Sequence, residues 1–366
     1  MGFFIYFVFY PTLLSPINSM KKKKILFSVL ALLILLVAFI ASKFLGPAVS
    51  TPSGEFFYVK TGSSYEDVKI QLVDQKYLKS TTWFDWTSRF LKYNTVKPGR
   101  YKLTKGMSVV KLVRMLRLGD QSVLNFVITK IRTKEVLASR IGKMFECDST
   151  EMINFMNNAD SLRPYGLDTT TVMAAAMPFT YPTTWNTTPG KIFRRFHNAY
   201  KEFWTEERKE KAQKLGLTPV QVSTVASIID EETNKTEDKS KIASVYLNRV
   251  RLGMPLQADP TLKFAMRNFA LKRIYNVHKE IVSPYNTYTN RGLPPGPICT
   301  PAVETIEAVL NAPTTDYLYF VASSKFDGTH IFTSNLDDHN KYARMYQKEL
   351  TRQEQIRDSI QKASKK

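Results

Sequence analysis

An uncharged stretch of 18 residues, Ile25 to Ser42, follows four consecutive lysines, Lys21 to Lys24. No other feature limits the fold more. As a helix the stretch rises ~27 Å, close to the depth of a bilayer's hydrocarbon core. The lysines are expected to stay in the cytoplasm, which sends everything after Lys43 to the outer side of the cell inner (cytoplasmic) membrane. A cleaved signal peptide is the rival reading, with Ala48-Val49-Ser50 as its cleavage site, although the apolar run is long for one. Met20 directly precedes the lysines, so residues 1–19 read as an upstream extension from a mis-called start. The expected organisation is a cytoplasmic N-terminus over 1–24, a transmembrane anchor over 25–45, and the rest of the chain outside.

The chain has 366 residues, of which 43% are hydrophobic, enough for two or three domains with real cores. Lys and Arg number 52 against 32 Asp and Glu, a net charge of +20. That surplus implies an anionic partner or surface. Nucleic acid, lipid head groups and an acidic wall polymer all satisfy charge alone; the exterior placement argues against nucleic acid. Two cysteines, Cys147 and Cys299, define no disulfide framework, and the four histidines lack zinc-ligand spacing. No P-loop, GxGxxG or zincin motif occurs, so no metal and no cofactor are expected.

After the anchor, Gly46 to Gly54 reads as a linker. Residues 46–122 then twice combine a short strand with an amphipathic helix, around Phe56 and Tyr101, with Trp83 and Trp86 between. This strand–helix–helix–strand order resembles the LysM-like module of cell-wall proteins. From Val123 onward the expectation is a larger α+β domain. Ile192 to Leu215 reads as one charged helix. Asp259 is expected to cap a helix with Pro260 at its first position, and a final core helix to begin near Thr300-Pro301. The Pro-rich loop from Ser283 is long and stiff for a compact domain, which marks it as functional. Strands around YLYFVAS and HIFTS and a charged C-terminal helix close the chain.

The chemistry is sharpest in TPVQVSTVASIIDEET, Thr218 to Thr233. Thr218, Pro219 and Gln221 form a helix start with a capping box. Val222, Val225, Ile228 and Ile229 make an apolar stripe, and Glu232 returns to it. Asp230 and Glu231 are expected to rotate toward solvent. A carboxyl against apolar side chains at a helix C-terminus resists ionisation. A carboxylic acid still protonated near neutral pH is what a general acid requires. A frayed helix end with a solvated acidic cluster is the bland alternative.

The blocks ASIIDEET, KIASVYLNRVRLGMPLQADPT, SPYNTYTNRGLPPGPICTP, TDYLYFVAS and HIFTSNLDDHN resemble, in order and spacing, the endolytic murein transglycosylases, the YceG-like family. The likeness is strong from Thr218 to Asn340 and looser from Gly54 to Thr218. It implies a YceG-like catalytic domain over 123–366 with a lytic-transglycosylase-like helical core. It also implies an enzyme that cleaves the MurNAc-β-1,4-GlcNAc bond inside peptidoglycan strands, leaves 1,6-anhydro ends and limits strand length. Wall synthases or divisome and elongasome proteins are the implied partners. The family's catalytic glutamate falls on Glu232.

Gln257, Asp259, Thr261, Tyr285, Asn286, Thr287 and Tyr288 are candidate sugar contacts, each with a structural alternative in turns and caps. Asn248 and Arg249 are expected to brace the site, and His330 and His339 to play structural roles. One departure stands out. Many relatives carry Glu-Gly before an aromatic-Pro-Asp-Thr-Tyr run; here Met177 to Trp185 reads MPFTYPTTW, with Thr183 in the place of Asp. A non-catalytic wall-binding scaffold on the same fold, and a hydrolase using Asp259 as a second carboxylate, are the competing readings.

Overall fold

The computed structural model describes residues 17–364, which divide into two compact units after Ser122. Most of the suggested extension, residues 1–16, therefore lies outside the described residues. Helix α1 (Ile17–Leu45) is the one described helix long and apolar enough to cross a membrane. Its large apolar side chains from Ile25 to Phe39 are all more than half exposed. No described residue covers them, which fits a single-pass anchor; a signal sequence has the same character.

The first unit continues with β1 (Phe56–Val59), α2 (Tyr65–Asp74), α3 (Thr82–Phe90), β2 (Gly99–Lys102) and α4 (Val109–Leu118). The two strands pair antiparallel, with Phe57 opposite Tyr101 and both inside. Period-two alternation puts Phe57, Val59 and Tyr101 on one face, where they meet Val68, Leu72, Phe84, Leu112 and Leu116. Ser64 closes a capping box with Asp67 at the start of α2, and Ser108 caps α4. The stretch expected to be a linker is not free. Ala48 and Val49 donate to the Met107 carbonyl, Gly106 donates to Val49, and Ser50 donates to Tyr77. Val49 is a buried core residue, so its apolar side chain draws the tract onto the unit.

The second unit is built around two apolar clusters. In the first, β3 (Leu124–Val127) pairs antiparallel with β4 (Thr180–Thr183) and is covered by α5 (Lys134–Met144), α6 (Ser149–Asn157), the short α7 (Ala159–Leu162) and α8 (Pro189–Phe203). Phe126 and Tyr181 face each other across the strands, and both pack on Phe196 of α8. Gly142 lets α5 and α6 meet, because a Cβ there would stand 2.5 Å from the Ser149 nitrogen. Cys147 is buried in this cluster and Cys299 elsewhere, both as free thiols.

The second cluster surrounds α10 (Pro219–Glu232), which is packed by α9 (Glu206–Lys214), α11 (Thr236–Arg251), α12 (Asp259–Ala265) and α13 (Val303–Leu310). A hairpin of β5 (Tyr319–Ala322) and β6 (His330–Thr333) and the C-terminal α14 (Leu336–Ala363) complete the unit. The single helix expected over Ile192 to Leu215 is two helices. Trp204 is buried at the break, and Thr205 accepts the Arg208 N–H to start α9. Burying an indole outweighs continuing one charged helix.

Candidate active site

Thr218 and Gln221 exchange hydrogen bonds of 3.2 and 2.8 Å and set where α10 begins, with Pro219 in its first turn. Such a cap contributes about 1 kcal/mol. The helix is buried all round from Val222 to Asp230. Its polar residues are satisfied within it: Ser223 donates to the Pro219 carbonyl, Thr224 to Val220 and Ser227 to Thr224. A helix this deep delivers its C-terminal residues to fixed places.

The three acids at its end take three environments. Asp230 does not face solvent as the stripe suggested. Its carboxylate accepts the Ala302 N–H at 2.6 Å and the Thr305 hydroxyl at 2.5 Å at the start of α13, and pairs with Lys239 of α11 at 3.2 Å. The reason is that α10 has neighbours on every side, so rotation off the stripe does not reach water. Glu231 also leaves the solvent position expected for it: its side chain is 14% exposed and is held by a bidentate Arg132, 3.0 Å on each arm, and by Lys130 at 2.9 Å. Burial opposes its ionisation, but these two cations outweigh burial and hold the carboxyl below its usual range. Lys130 also donates to the Asp230 carbonyl, placing a cation at the helix C-terminus.

Glu232 differs from both. It is half-buried, and the packing around its carboxyl pushes the pKa up to about 7. The negative charges of Asp259 and Glu231 push the same way; the Tyr246 hydroxyl and Lys263 pull back. Tyr246 of α11 donates to Glu232 Oε1 at 2.8 Å. Burial, then the Glu232 charge, hold the Tyr246 phenol well above its usual range, so it stays a neutral donor. Glu232 opens onto a cleft of about 450 Å³ whose wall includes Asn234, Phe326, Thr329, His330 and Tyr346.

Asp259 lies close enough to Glu232 to raise it, and its Oδ1 accepts the Tyr288 hydroxyl at 2.5 Å. It is the first residue of α12 rather than its cap; Ala258 occupies the cap position. The carboxylate is drawn to the phenol instead of to the helix's own N–H groups. Lys279 covers the Tyr288 ring at 4.9 Å.

Gln257 is exposed, has a left-handed φ of 55°, and accepts from Arg249 at 3.1 Å. Thr261, Asn286 and Thr287 are fully enclosed. Thr261 donates to the Ala258 carbonyl, Thr287 accepts the Ala258 N–H, and Asn286 donates to the Lys279 and Ile281 carbonyls. These bonds tie the 283–290 loop to the start of α12 and to residues 279–281. Tyr285 sits apart from them. It packs on Phe264 and lines a separate 170 Å³ cleft with Arg132, Lys134, Arg267 and Pro297.

Arg249 and Asn248 are internal braces. Arg249 donates to the carbonyls of Leu318, Pro255 and Leu256, and Asn248 to those of Thr315 and Tyr317. Gly296 fits beside the Thr170 carbonyl, where a Cβ would come within 2.1 Å. The loop then runs into α13, which begins at Val303, slightly later than expected. His330 Nδ1 lies 3.0 Å from Asp238, and His339 stacks on Tyr319. Met177, the first residue of the MPFTYPTTW run, is buried in the α10 cluster. Thr183 is also buried, and its hydroxyl has no partner among the described residues.

Sequence reasoning missed Tyr246, Lys263, Phe326, Thr329 and Tyr346. Tyr246 had a legible signal, since it sits among the apolar residues of KIASVYLNRV. The others come from segments far apart in the chain.

Residues 57–345 match the model of the YceG-like family. The endolytic murein transglycosylase of Bacillus subtilis (strain 168) is 31% identical over 79% of this chain and 83% of its own length. The endolytic murein transglycosylase of Streptococcus pneumoniae (serotype 2, strain D39) is 26% identical over 77% of this chain; the match spans 56% of that longer protein. A solved YceG-like protein of Listeria monocytogenes superposes with a TM-score of 0.52 at 26% identity, covering 78% of this chain and 97% of that one. Match length and identity together show that the chain belongs to the YceG-like family.

Proposed function

We propose that the chain is a membrane-anchored lytic transglycosylase acting on peptidoglycan glycan strands, with Glu232 as its general acid and then base. One observation carries the reading: a carboxyl with its pKa raised to about 7, bonded by a neutral phenol, opens onto a cleft. Protonated Glu232 donates to the glycosidic oxygen between MurNAc and GlcNAc, and an oxocarbenium-like state forms at the muramic C1. Tyr246 stabilises the carboxylate so formed. Glu232 then takes the proton of the muramic C6 hydroxyl, whose oxygen attacks C1 and closes the 1,6-anhydro ring. No water is consumed, so one carboxyl suffices.

Asp259 serves as a neighbouring charge that keeps Glu232 protonated. Gln257, Asp259, Tyr285 and Tyr288 are the proposed sugar contacts, supported by their remaining exposure. Thr261, Asn286 and Thr287 hold that surface in shape. The order β1–α2–α3–β2 supports a LysM-like wall-binding role for residues 46–122, joined to a catalytic domain over 123–366 with a helical core around α10. Residues 25–45 anchor the chain in the cytoplasmic membrane, with its enzymatic part outside, near wall synthases or division and elongation proteins.

The test is Glu232→Gln. Incubated with purified glycan strands, the parent should yield new anhydro-MurNAc ends and the variant none. Ordinary reducing ends would favour a hydrolase that uses Asp259, and strand binding without cleavage by the parent would favour a scaffold. Folding is checked in the same variant. Between pH 4.5 and about 7 the folded parent keeps a proton that the unfolded chain has lost, so its stability falls as pH rises through that window. Gln escapes that loss, so E232Q should melt no lower than the parent at an alkaline pH.

A further inference from the structure

Helix α3 carries two aromatic rings that the first unit's core leaves outside, Trp86 and Phe90, beside Trp83, which is half-buried against the core's edge. Helix α3 buries Phe84, Thr87 and Ser88. At 100° per residue, Trp83, Trp86 and Phe90 share one flank away from them. Trp86 is 66% exposed and Phe90 85%. Trp83 turns toward the end of α1, where Phe44 meets it edge-on with ring centroids 5.2 Å apart.

Phe44 lies two residues beyond Ser42, the end of the uncharged run, and so only ~3 Å further along the helix axis. The neck between them and the unit is short and pinned. Gly46 donates to the Ser42 carbonyl at 2.9 Å, and residues 48–50 are bonded to Met107 and Tyr77. Wherever the apolar run of α1 meets a membrane surface, α3 arrives with it. Tryptophan and phenylalanine beside the end of a spanning helix suit the boundary between head groups and acyl chains. The charge agrees: residues 46–122 hold 13 Lys and Arg against 6 Asp and Glu, and Lys79, Arg89 and Lys92 stand on or next to α3.

We propose that Trp83, Trp86 and Phe90 form a second, interfacial membrane contact, seated in the outer-facing leaflet of the bilayer that α1 spans. Lys43, Arg89 and Lys92 meet its lipid phosphates. A single spanning helix leaves its own tilt and rotation open; an aromatic face alongside it fixes both for the whole first unit. The inference rests on the anchor reading. A glycan strand stacked on Trp86 is the rival occupant. Continuity with α1 favours lipid.

The test uses the full-length protein in vesicles of phosphatidylcholine and phosphatidylglycerol, part of the lipid brominated near the head-group end of its acyl chains. Flotation is measured first, then tryptophan quenching, for the parent and for Trp86→Phe. Trp86 is exposed, so the variant keeps the core; an unchanged melting temperature verifies that. The difference in emission between parent and variant isolates Trp86, and brominated lipid is expected to quench it. A chain that floats while that emission stays unquenched overturns the stripe but leaves the anchor standing. Unquenched emission that soluble glycan strands shield from acrylamide overturns it in favour of the sugar platform. A chain that does not float overturns the anchor and the stripe together.

Discussion

Glu231 and Glu232 are neighbours in sequence with opposite chemistry. Two cations close on Glu231 and keep it ionised, while packing and two nearby carboxylates keep the proton on Glu232 to about pH 7. Only the second can donate a proton at neutral pH. For the proposed reaction, kcat/KM should therefore fall as pH rises past about 7, where Glu232 loses its proton. The Tyr246 hydrogen bond favours the carboxylate. Tyr246→Phe should shift that alkaline limb to higher pH and lower kcat by about 10-fold or more, because the carboxylate formed by proton transfer loses its donor. A pH profile of anhydro-end formation by both proteins checks the two effects. The stripe register marked Glu232 as the inward-facing acid, but it misplaced both neighbours, since Asp230 is buried and Glu231 is enclosed by two cations. It could not reveal Arg132 and Lys130, which lie about a hundred residues upstream and choose the fate of Glu231.

Helix α10 shows how an element's surroundings override its pattern. A two-faced helix would leave Asp230 in water. Here α13 and α11 close on that face, and Asp230 becomes the joint between three helices, accepting from Ala302 and Thr305 and pairing with Lys239. Lys239 is itself buried and also reaches Glu304. Asp230→Ala would leave Lys239 with Glu304 as its one remaining carboxylate partner and would remove the acceptor at the start of α13. It should destabilise the second unit by about 2 kcal/mol, read by urea denaturation, with Glu232 untouched in sequence. The capping box at Thr218 was legible because it is local. The break at Trp204 was not, because a charged run gives no sign that one indole within it is wanted in a core. The same holds for the 283–290 loop: its prolines and tyrosines signalled function, yet burial made Asn286 and Thr287 its internal fasteners.

At the scale of the whole molecule, the net charge of +20 points to an anionic partner or surface. Attraction of that kind is screened by salt. Retention of the purified protein on cell-wall sacculi should weaken as salt rises from roughly 0.1 M to roughly 1 M, where the Debye length drops from ~10 to ~3 Å. A co-sedimentation series checks this, and salt-independent retention would assign the binding to stacking and hydrogen bonds instead. By itself the sequence determined what depends on neighbours along the chain: a spanning-length apolar run, the caps and periods of its helices, the mixed α+β character and the acid at the end of one stripe. Only the tertiary structure decided which acid is paired, which polar residues are sealed inside, that the tract after α1 is pinned, and that a tyrosine from another helix faces Glu232. Those outcomes depend on which distant segments come within a hydrogen bond's reach, and that distance is a property of the packed chain, not of any stretch of it.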